Sequence, residues 1–355
     1  MDLIFDSDNR YGRVTSPYHA DLCKKLGDRY KGTAYVVSSG MNAISTLFRV
    51  ILDKCGFNNT DRPYHLVYSD ELYCDLPRLF NYFHEVNGII LHPVHITETA
   101  KIQSLLTSLK NERVIFYFET CSNPHGMIFE FNTIKALKKE NDELLVIIDN
   151  TWASSAILNP LDWDADFVIS SLTKYYSNSK SLGGVVISRH PLIAEVEKYI
   201  RFHGLHVSPY NCKIILDNID TLDDRMSKAY SVMLELFEHL SADSRFKDIV
   251  HPSFEHHSSH EQYQKYFNKG IGPSVFTMRI KGNDKVMKRL RSEFTHIKYK
   301  TSFGGYDTRY DPWHKGTSGG YTCCRISVGY NSTSEKIYDD FIRALPKEVK
   351  LLPAK

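Results

Sequence analysis

Short apolar runs recur along the first two-thirds of the chain, separated by polar and helix-forming segments. Because these runs do not alternate apolar with polar residues, they are typical of strands that are buried on both faces of a sheet. We predict strands of this kind at residues 35–37, 65–68, 88–91, 114–118, 144–148, 167–169 and 184–187.

Helical periodicity fills the intervals between the runs. Residues 40–52 place their apolar side chains on one face of a helix, and Asn132-Thr133 precede a second amphipathic stretch as a predicted cap. Strands that alternate with helices predict an α/β fold with a mostly parallel sheet covered by helices. Ligands of such sheets bind at the carboxyl ends of the strands, so the residues that follow each run are the first candidates for a functional site.

The pattern changes near residue 215. A long helix is predicted at 225–239, then a polar, His-rich stretch, and then strand-like segments at 274–280 and 324–328. A chain of 355 residues also exceeds the size at which a single hydrophobic core usually stops growing. We therefore predict a large domain at 31–215 and a smaller C-terminal α+β domain at 216–355.

Charge and cysteine content narrow the range of partners. Lys and Arg number 44 and Asp and Glu 42, and the resulting formal charge of +2 is too small to predict a nucleic-acid partner. The seven cysteines include no C-x-x-C pair, which favours reduced thiols over a disulfide framework or a structural zinc site. Neither a signal peptide nor a membrane-spanning run is evident. We expect a cytoplasmic protein without a nucleic-acid or membrane partner.

Two charged residues leave the carboxyl ends of predicted strands. Asp149 follows 144–148 directly, where it serves either as a helix cap or as a carboxylate that meets a pyridinium nitrogen. Lys174 follows 167–169 through Ser170-Ser171-Leu172-Thr173, and a lone lysine is most often a solvated charge. The neighbouring hydroxyls can instead bind a phosphate while the amine forms an imine, and burial would lower the pKa of the amine as that chemistry requires.

A glycine-containing loop joins the first predicted strand to the first of these helices. In Ser38-Ser39-Gly40-Met41 the backbone N–H groups at the helix start could bind a phosphate, although Gly40 could equally serve only the turn. The loop is neither G-x-G-x-x-G nor a Walker lysine loop, which disfavours a dinucleotide or a nucleoside triphosphate.

A series of short motifs follows in a fixed order along nearly the whole chain. They are Tyr11-Gly12-Arg13, Ser38-Ser39-Gly40-Met41, Asp70-Glu71-Leu72-Tyr73, Glu119 with Asn123-Pro124, Asp149 to Ala153, Ser170 to Tyr175, Gly183 to Val186, Ser208-Pro209, Arg225-Met226, Ser302 to Gly305 and Arg325 to Gly329. In this order they resemble the signature of the Cys/Met-metabolism enzymes that depend on pyridoxal 5′-phosphate (PLP). That family includes cystathionine γ-synthase, cystathionine β- and γ-lyases, methionine γ-lyase and the homoserine-ester sulfhydrylases.

The resemblance implies the fold type I of PLP-dependent transferases, with a seven-stranded, mostly parallel sheet, and PLP as the cofactor. It implies three catalytic residues: Lys174 forms the Schiff base, Asp149 pairs with the pyridine nitrogen, and Tyr73 stacks on the ring and assists proton transfer. Further cofactor contacts are implied for Gly40, Met41, Ser171 and Thr173 at the phosphate, for Asn123 at the ring hydroxyl and for Thr151.

Subunit and substrate contacts also follow from the resemblance. Tyr11 and Arg13 reach the phosphate of the neighbouring subunit in this family, which implies a homodimer with shared active sites and an N-terminal arm at 1–30 that contacts the partner subunit. The short segment before Tyr11 disfavours a tetramer. Arg325 would hold the α-carboxylate of an amino-acid substrate by a bidentate pair, and Ser302 and Glu119 are expected beside that substrate.

The reaction implied is elimination or replacement at the γ-carbon of a cystathionine-, homocysteine- or homoserine-ester-like amino acid. A β-lyase, an aminotransferase and a degenerate PLP-fold binding protein are the alternatives. Some residues depart from the family pattern: Cys74-Asp75-Leu76 stand where Gly-Gly-Thr is usual, and Cys121 replaces a proline. Both cysteines are either reactive thiols or small apolar residues. No metal is expected at the clustered histidines, which are His251, His256, His257 and His260.

Overall fold

The predicted strands form one sheet in the structure, a computed structural model that describes residues 11, 15–54, 62–267 and 270–345. These strands are β1 (Thr33–Val37), β2 (Tyr64–Ser69), β3 (Ile90–Val94), β4 (Arg113–Glu119), β5 (Leu144–Asp149), β6 (Phe167–Ser171) and β7 (Gly184–Ser188). Their order across the sheet is β1-β7-β6-β5-β4-β2-β3, and only β7 runs antiparallel to its neighbours. The seven-stranded, mostly parallel sheet is thus confirmed.

Helices cover this sheet and continue into the second half of the chain. They are α1 (Pro17–Tyr30), α2 (Gly40–Lys54), α3 (Leu76–Asn87), α4 (Thr99–Ser108), α5 (Ile134–Glu140), α6 (Ser154–Ile157), α7 (Ile193–His203), α8 (Pro209–Ile219), α9 (Leu222–Ser241), α10 (His260–Tyr266), α11 (Asp284–Glu293) and α12 (Ser334–Ala344). No helix within the described ranges combines the length and the apolar character that crossing a bilayer requires.

Strand β4 shows why the apolar runs are continuous. Phe116 packs against Phe129 on one face of the sheet, with ring centroids 5.1 Å apart. Tyr117 packs edge-on against Phe80 on the other face, at 5.4 Å. Because successive side chains of a strand point to opposite faces, one run supplies two hydrophobic cores. The covered sheet therefore offers its strand ends, rather than its faces, to a ligand.

One local prediction was wrong, and a second is confirmed only in part. Gly88 does not begin a strand; it ends α3 in the left-handed conformation (φ 66°), where its N–H bonds His84 O, and β3 starts at Ile90. Thr133 occupies the N-cap position of α5, but its side chain makes no capping hydrogen bond, and a 3₁₀ turn at 131–133 leads directly into that helix. The Thr133 hydroxyl donates instead to Glu130 O at 2.8 Å.

A second sheet of five strands lies in the C-terminal part, as the α+β prediction requires. Its strands are β8 (Phe246–Val250), β9 (Val275–Lys281), β10 (Ile297–Tyr299), β11 (Thr308–Ser318) and β12 (Tyr321–Ser327), in the order β10-β11-β12-β9-β8. Residue 215 falls inside α8, and the three-part division of the chain stays a prediction.

Candidate active site

The chemistry predicted from the sequence gathers at the carboxyl ends of β4, β5 and β6. A cavity of about 190 Å³ opens there and is lined by Ser39, Gly40, Met41, Ile44, Tyr73, Glu119, Asn123, Asp149, Thr151, Trp152, Ser171, Thr173, Lys174 and Phe303. A wider groove of about 690 Å³ runs along α1 and β1, but it is open to solvent and its Lys24 is paired with Asp28. We therefore take the strand-end cavity as the site.

The Lys174 amine lies half-buried in the loop that follows β6. Its Nζ donates to Ser302 Oγ at 2.9 Å and lies 5.0 Å from the centroid of the Phe303 ring. Burial, together with the nearby cations of Arg325 and Arg309, lowers the pKa of Lys174 to about 8. A substantial fraction of this amine is therefore neutral close to physiological pH, which is the form that acts as a nucleophile or a base.

Two carboxyl groups end neighbouring strands, because Glu119 of β4 and Asp149 of β5 lie opposite each other in the sheet register. Asp149 accepts hydrogen bonds from the Thr151 N–H at 2.9 Å and the Tyr117 hydroxyl at 3.3 Å, and Glu119 accepts from the Tyr73 N–H at 2.6 Å. Burial and the Asp149 carboxylate raise the pKa of Glu119 well above its usual value. Burial also raises the pKa of Asp149, but its donors oppose that shift. Glu119 is therefore the partner that keeps a proton, and Asp149 the one that carries charge.

The start of α2 forms a second wall of the cavity. A Cβ on Gly40 would approach Ser171 Cβ to 2.9 Å, and a Cβ on Gly184 would clash with the Ser39 carbonyl, so glycine permits the close approach of helix and strands. The first N–H groups of a helix have no acceptor within that helix. Those of Gly40 and Met41 can therefore bind an anion, aided by the helix dipole.

Hydroxyl groups fix the loop between β6 and Lys174. Thr151 Oγ1 accepts the Ser171 N–H at 2.8 Å, and Thr173 Oγ1 accepts the Gly183 N–H at 3.1 Å. Ser171 and Thr173 also line the cavity beside Gly40.

These residues fit PLP. One cavity combines an amine of lowered pKa, an ionised buried carboxylate and a helix start suited to an anion. Lys174 would hold the aldehyde carbon, Asp149 would face the ring nitrogen, and the N–H groups of Gly40 and Met41 would hold the phosphate with Ser171 and Thr173 beside it. These individual roles stay predictions.

Arg325 lies on β12 and is only 7% exposed, with its guanidinium carbon 5.9 Å from the ring centroid of Phe303, which lines the cavity. Its Nη1 donates to Asn123 Oδ1 at 3.0 Å, and its Nη2 donates to Thr301 O at 2.7 Å and to Asp311 Oδ2 at 3.0 Å. A guanidinium binds a carboxylate in a bidentate manner either through Nη1 and Nη2 or through Nε and Nη2, and both arrangements use Nη2. The bidentate carboxylate pair predicted for Arg325 therefore requires the incoming carboxylate to share Nη2 with Asp311 or Thr301. Sequence reasoning missed both of these acceptors.

Ser302 and Tyr73 have contacts that the sequence did not predict. The Ser302 hydroxyl accepts a hydrogen bond from Lys174, although we expected it beside the substrate. Tyr73 is 41% exposed at the mouth of the cavity, where its backbone N–H bonds Glu119. Among the described residues, Tyr11 is exposed and does not line the cavity, and Arg13 lies outside the described residues.

The departures from the family pattern take different positions. Cys121 is fully buried in the core, and burial raises the pKa of its thiol well above the usual value, so it acts as a small apolar residue. Cys74 is exposed beside Tyr73. The two departures therefore affect different parts of the protein.

Comparison with known families decides the class. The family model described as Cys/Met metabolism PLP-dependent enzyme matches residues 5–311. The chain belongs to this family. PLP is therefore its cofactor, and the predicted class, a PLP-dependent lyase or transferase of the transsulfuration type, is confirmed.

Relatives within the Cys/Met-metabolism family differ in the reaction they catalyse. The L-methionine γ-lyase of Fusobacterium nucleatum subsp. polymorphum is 26% identical over 352 residues, which cover 93% of this chain and 84% of that protein. The cystathionine β-lyase of Schizosaccharomyces pombe is 26% identical over 304 residues, covering 84% and 73%. The structure of cystathionine γ-synthase from Xanthomonas oryzae pv. oryzae in complex with cystathionine superposes with a TM-score of 0.81, at 23% identity, over 95% of this chain and 88% of that one. This last likeness supports the fold.

Proposed function

We propose that the protein catalyses PLP-dependent elimination or replacement at the γ-carbon of a sulfur- or oxygen-substituted amino acid, of the cystathionine, homocysteine or homoserine-ester type. One observation carries the proposal: the Lys174 amine, whose pKa is lowered to about 8, shares a cavity with the Asp149 carboxylate and lies near the Arg325 guanidinium. A neutral amine can remove a proton, and a buried guanidinium can bind a carboxylate. Removal of the α-proton from an amino acid that is held by its carboxylate uses both groups.

Each residue of the site has a separate role in the proposed reaction. When bound, PLP withdraws electrons from the α-carbon of an amino acid joined to it. Asp149, as the ionised carboxyl, stabilises positive charge at the ring nitrogen. Arg325 binds the α-carboxylate and so fixes the orientation of the α-C–H bond. Lys174 Nζ accepts the α-proton, with Ser302 Oγ restricting where the amine lies.

The departing group needs a proton of its own. Burial raises the pKa of Tyr73, so its phenol keeps the proton at physiological pH. Because Tyr73 lies at the mouth of the cavity, it can donate this proton to the sulfur or oxygen that leaves. Lys174 can then return the proton that it removed, at the α-carbon or further along the chain of the substrate.

A β-lyase is the second candidate. The fission-yeast cystathionine β-lyase is as similar to this chain in percentage identity as the methionine γ-lyase. The same lysine, carboxylate and guanidinium serve either reaction, because both begin with loss of the α-proton. They differ afterwards: a β-lyase expels a group bonded to Cβ directly, whereas expulsion of a group from Cγ also requires removal of a proton from Cβ.

Product analysis tests the proposal. We expect purified protein loaded with PLP to convert cystathionine into cysteine, 2-oxobutanoate and ammonia, or to form a new thioether from an O-acyl homoserine and a thiol. Homocysteine, pyruvate and ammonia from cystathionine would instead establish the β-lyase. Amino transfer to a keto acid, or no turnover of cystathionine, methionine, cysteine or O-acyl homoserines, would overturn both candidates.

A matched pair of variants tests the assignment of the lysine. Lys174→Ala should abolish turnover and the visible absorbance of the bound cofactor. Lys180→Ala, an exposed lysine of the same loop that bonds Asn218 Oδ1 at 3.2 Å, should leave both unchanged. Turnover retained in Lys174→Ala would contradict the assignment.

We also propose that the protein is a cytoplasmic homodimer in which Tyr11 and Arg13 complete the site of the partner subunit. The exposed position of Tyr11 supports this arrangement. Mixing inactive Lys174→Ala and Tyr11→Phe subunits should restore activity, because one site of each mixed dimer then carries both native residues. A monomer by light scattering would contradict the proposal.

A further inference from the structure

A carboxylate next to the cavity ties together the two turns that carry Tyr73 and Asn123. Glu71 lies two residues before Tyr73, and its side chain reaches the turn that follows β4. There Glu71 Oε2 accepts the Ser122 hydroxyl at 2.6 Å, and Glu71 Oε1 accepts His125 Nδ1 at 2.6 Å. Ser122 and His125 stand on either side of the Asn123-Pro124 pair. Beyond the pairing of β2 with β4, one side chain therefore bridges the two turns.

The far side of His125 is held by the C-terminal part of the chain. His257 Nε2 donates to the His125 carbonyl at 3.0 Å, and His257 Nδ1 accepts the Ser259 N–H at 3.0 Å. A ring that donates through one nitrogen and accepts through the other is neutral, which fixes the tautomer of His257. Ser259 Oγ in turn accepts the Ile128 N–H at 2.9 Å. The turn at 122–128 is thus fixed from two directions, and only the Glu71 side of it can carry charge.

The two turns supply contacts to the site itself. The Tyr73 N–H bonds Glu119, and Asn123 Oδ1 accepts from Arg325. A change in the separation of the turns would therefore alter both the wall of the cavity and the guanidinium beside it. The link depends on the interaction between Glu71 and His125, which are both partly exposed.

We propose that His125 is a positioning residue which, through Glu71, holds Tyr73 and Asn123 in the geometry that binds PLP, and that loss of its proton loosens this geometry. The proposal rests on the assignment of Tyr73 and Asn123 to the cofactor-binding wall. It does not depend on which bond of the substrate is broken.

The charges around the pair support a dependence on pH. The hydrogen bond to Glu71 raises the pKa of His125 above 6.5. Burial acts to raise the pKa of Glu71, but the bonds from His125 and Ser122 outweigh it and leave that pKa below 4.5. Between the pKa of Glu71 and the pKa of His125, both groups are charged. The ion pair weakens as pH rises through the pKa of His125, because the imidazole loses its proton, and as pH falls through the pKa of Glu71, because the carboxylate gains one. The other titratable groups that face it are His95, Asp70, Glu119 and His257.

The test measures the affinity for PLP, by equilibrium dialysis of the holoenzyme between about pH 5.5 and about pH 8.5, on either side of the ordinary pKa of histidine. The variants are His125→Gln, Glu71→Gln and the double variant, with the exposed His256→Gln as the control. Groups other than His125 and Glu71 titrate in wild type and variants alike. The ratio of wild-type to variant affinity for PLP therefore reports the contribution of this pair alone.

At the acidic end we expect wild type to bind PLP about three- to fivefold more tightly than either single variant, as for a partly exposed ion pair. This advantage should shrink as pH rises through the pKa of His125, and the double variant should be no weaker than the single ones. His256→Gln should match wild type.

Three outcomes would overturn the proposal: an advantage that is constant with pH, single effects that add in the double variant, or a lowered melting temperature with unchanged PLP affinity. The measurement needs no substrate. A wrong assignment of the reaction would appear in the products of the wild-type enzyme and would leave these affinities as expected.

Discussion

Lys174 Nζ and Ser302 Oγ are joined by a 2.9 Å hydrogen bond that connects the loop after β6 to the segment between β10 and β11. The bond links residues 128 positions apart in the chain. It places the amine over the Phe303 ring and limits the directions from which Nζ can take a proton. Ser302 therefore positions the Lys174 amine.

Removal of this hydroxyl should slow the chemical step. Ser302→Ala should lower kcat about three- to tenfold with little change in KM, because a hydrogen bond of this kind is worth about 0.5–1.5 kcal/mol. Ser302→Thr retains a hydroxyl and should recover most of the loss. Steady-state kinetics with the preferred substrate checks both. A rise in KM alone would show that Ser302 contacts the substrate, as we predicted from the sequence, rather than serving the lysine.

Lys174 should react at a lower pH than other lysines. Because burial and the neighbouring arginines lower its pKa to about 8, the neutral and reactive amine increases as pH rises through that value. Acylation of the protein freed of PLP, followed by mass spectrometry of peptides, should give a midpoint near 8 for Lys174. Lys213 is the internal reference, since its bond to Asp217 raises its pKa above 10.5. Parallel labelling curves for the two lysines would contradict the shift.

The ion pair between Arg325 and Asp311 should stabilise the C-terminal sheet. Both side chains are largely buried, so Asp311→Ala leaves a buried cation without its charged partner and should lower the free energy of unfolding by about 3 kcal/mol. Asp162→Ala removes the more exposed partner of Arg189 and should cost less than about 1 kcal/mol. Urea denaturation measures both. Equal costs would mean that the Arg325 pair contributes no more than a surface contact.

Gly40→Ala should weaken the binding of PLP. The added Cβ would come within 2.9 Å of Ser171 Cβ, which forces the start of α2 away from β6. Overpacking of this kind typically costs about 1–3 kcal/mol, so we expect the dissociation constant for PLP to rise about tenfold or more. Gly88→Ala meets no atom within 4 Å but strains a positive φ. It should lower stability and leave PLP affinity unchanged; a similar loss of affinity in both variants would point to a general folding defect.

The sequence predicted the sheet well because its evidence is local. A continuous apolar run such as 114–118 has few alternatives to a buried strand. Asp149 is the last residue of such a strand, and Lys174 lies three residues beyond another. Gly88 was misassigned because a glycine can end a helix as readily as it can precede a strand, and nothing in the run itself distinguishes the two.

Asp311 could not be found in the same way. The Gly319-Gly320 turn does indicate a hairpin. Regular pairing counted back from that turn would place residue 314 opposite Arg325. The register shifts between Trp313 and Ser318, however, and Asp311 takes that place instead. A bulge leaves little trace in the sequence, so the partner of Arg325 depends on tertiary structure.

The register shift between Trp313 and Ser318 separates the ion-paired part of this hairpin from its tip. On the side of the shift away from the turn, Asp311 pairs with Arg325. On the side next to the turn, Ser318 pairs with Tyr321 in a different register. Insertions or deletions near the tip need not propagate to the ion pair, because the irregularity can absorb them. The tip is therefore a segment in which length variation can accumulate, in natural homologues or in a designed library, without separating Asp311 from Arg325.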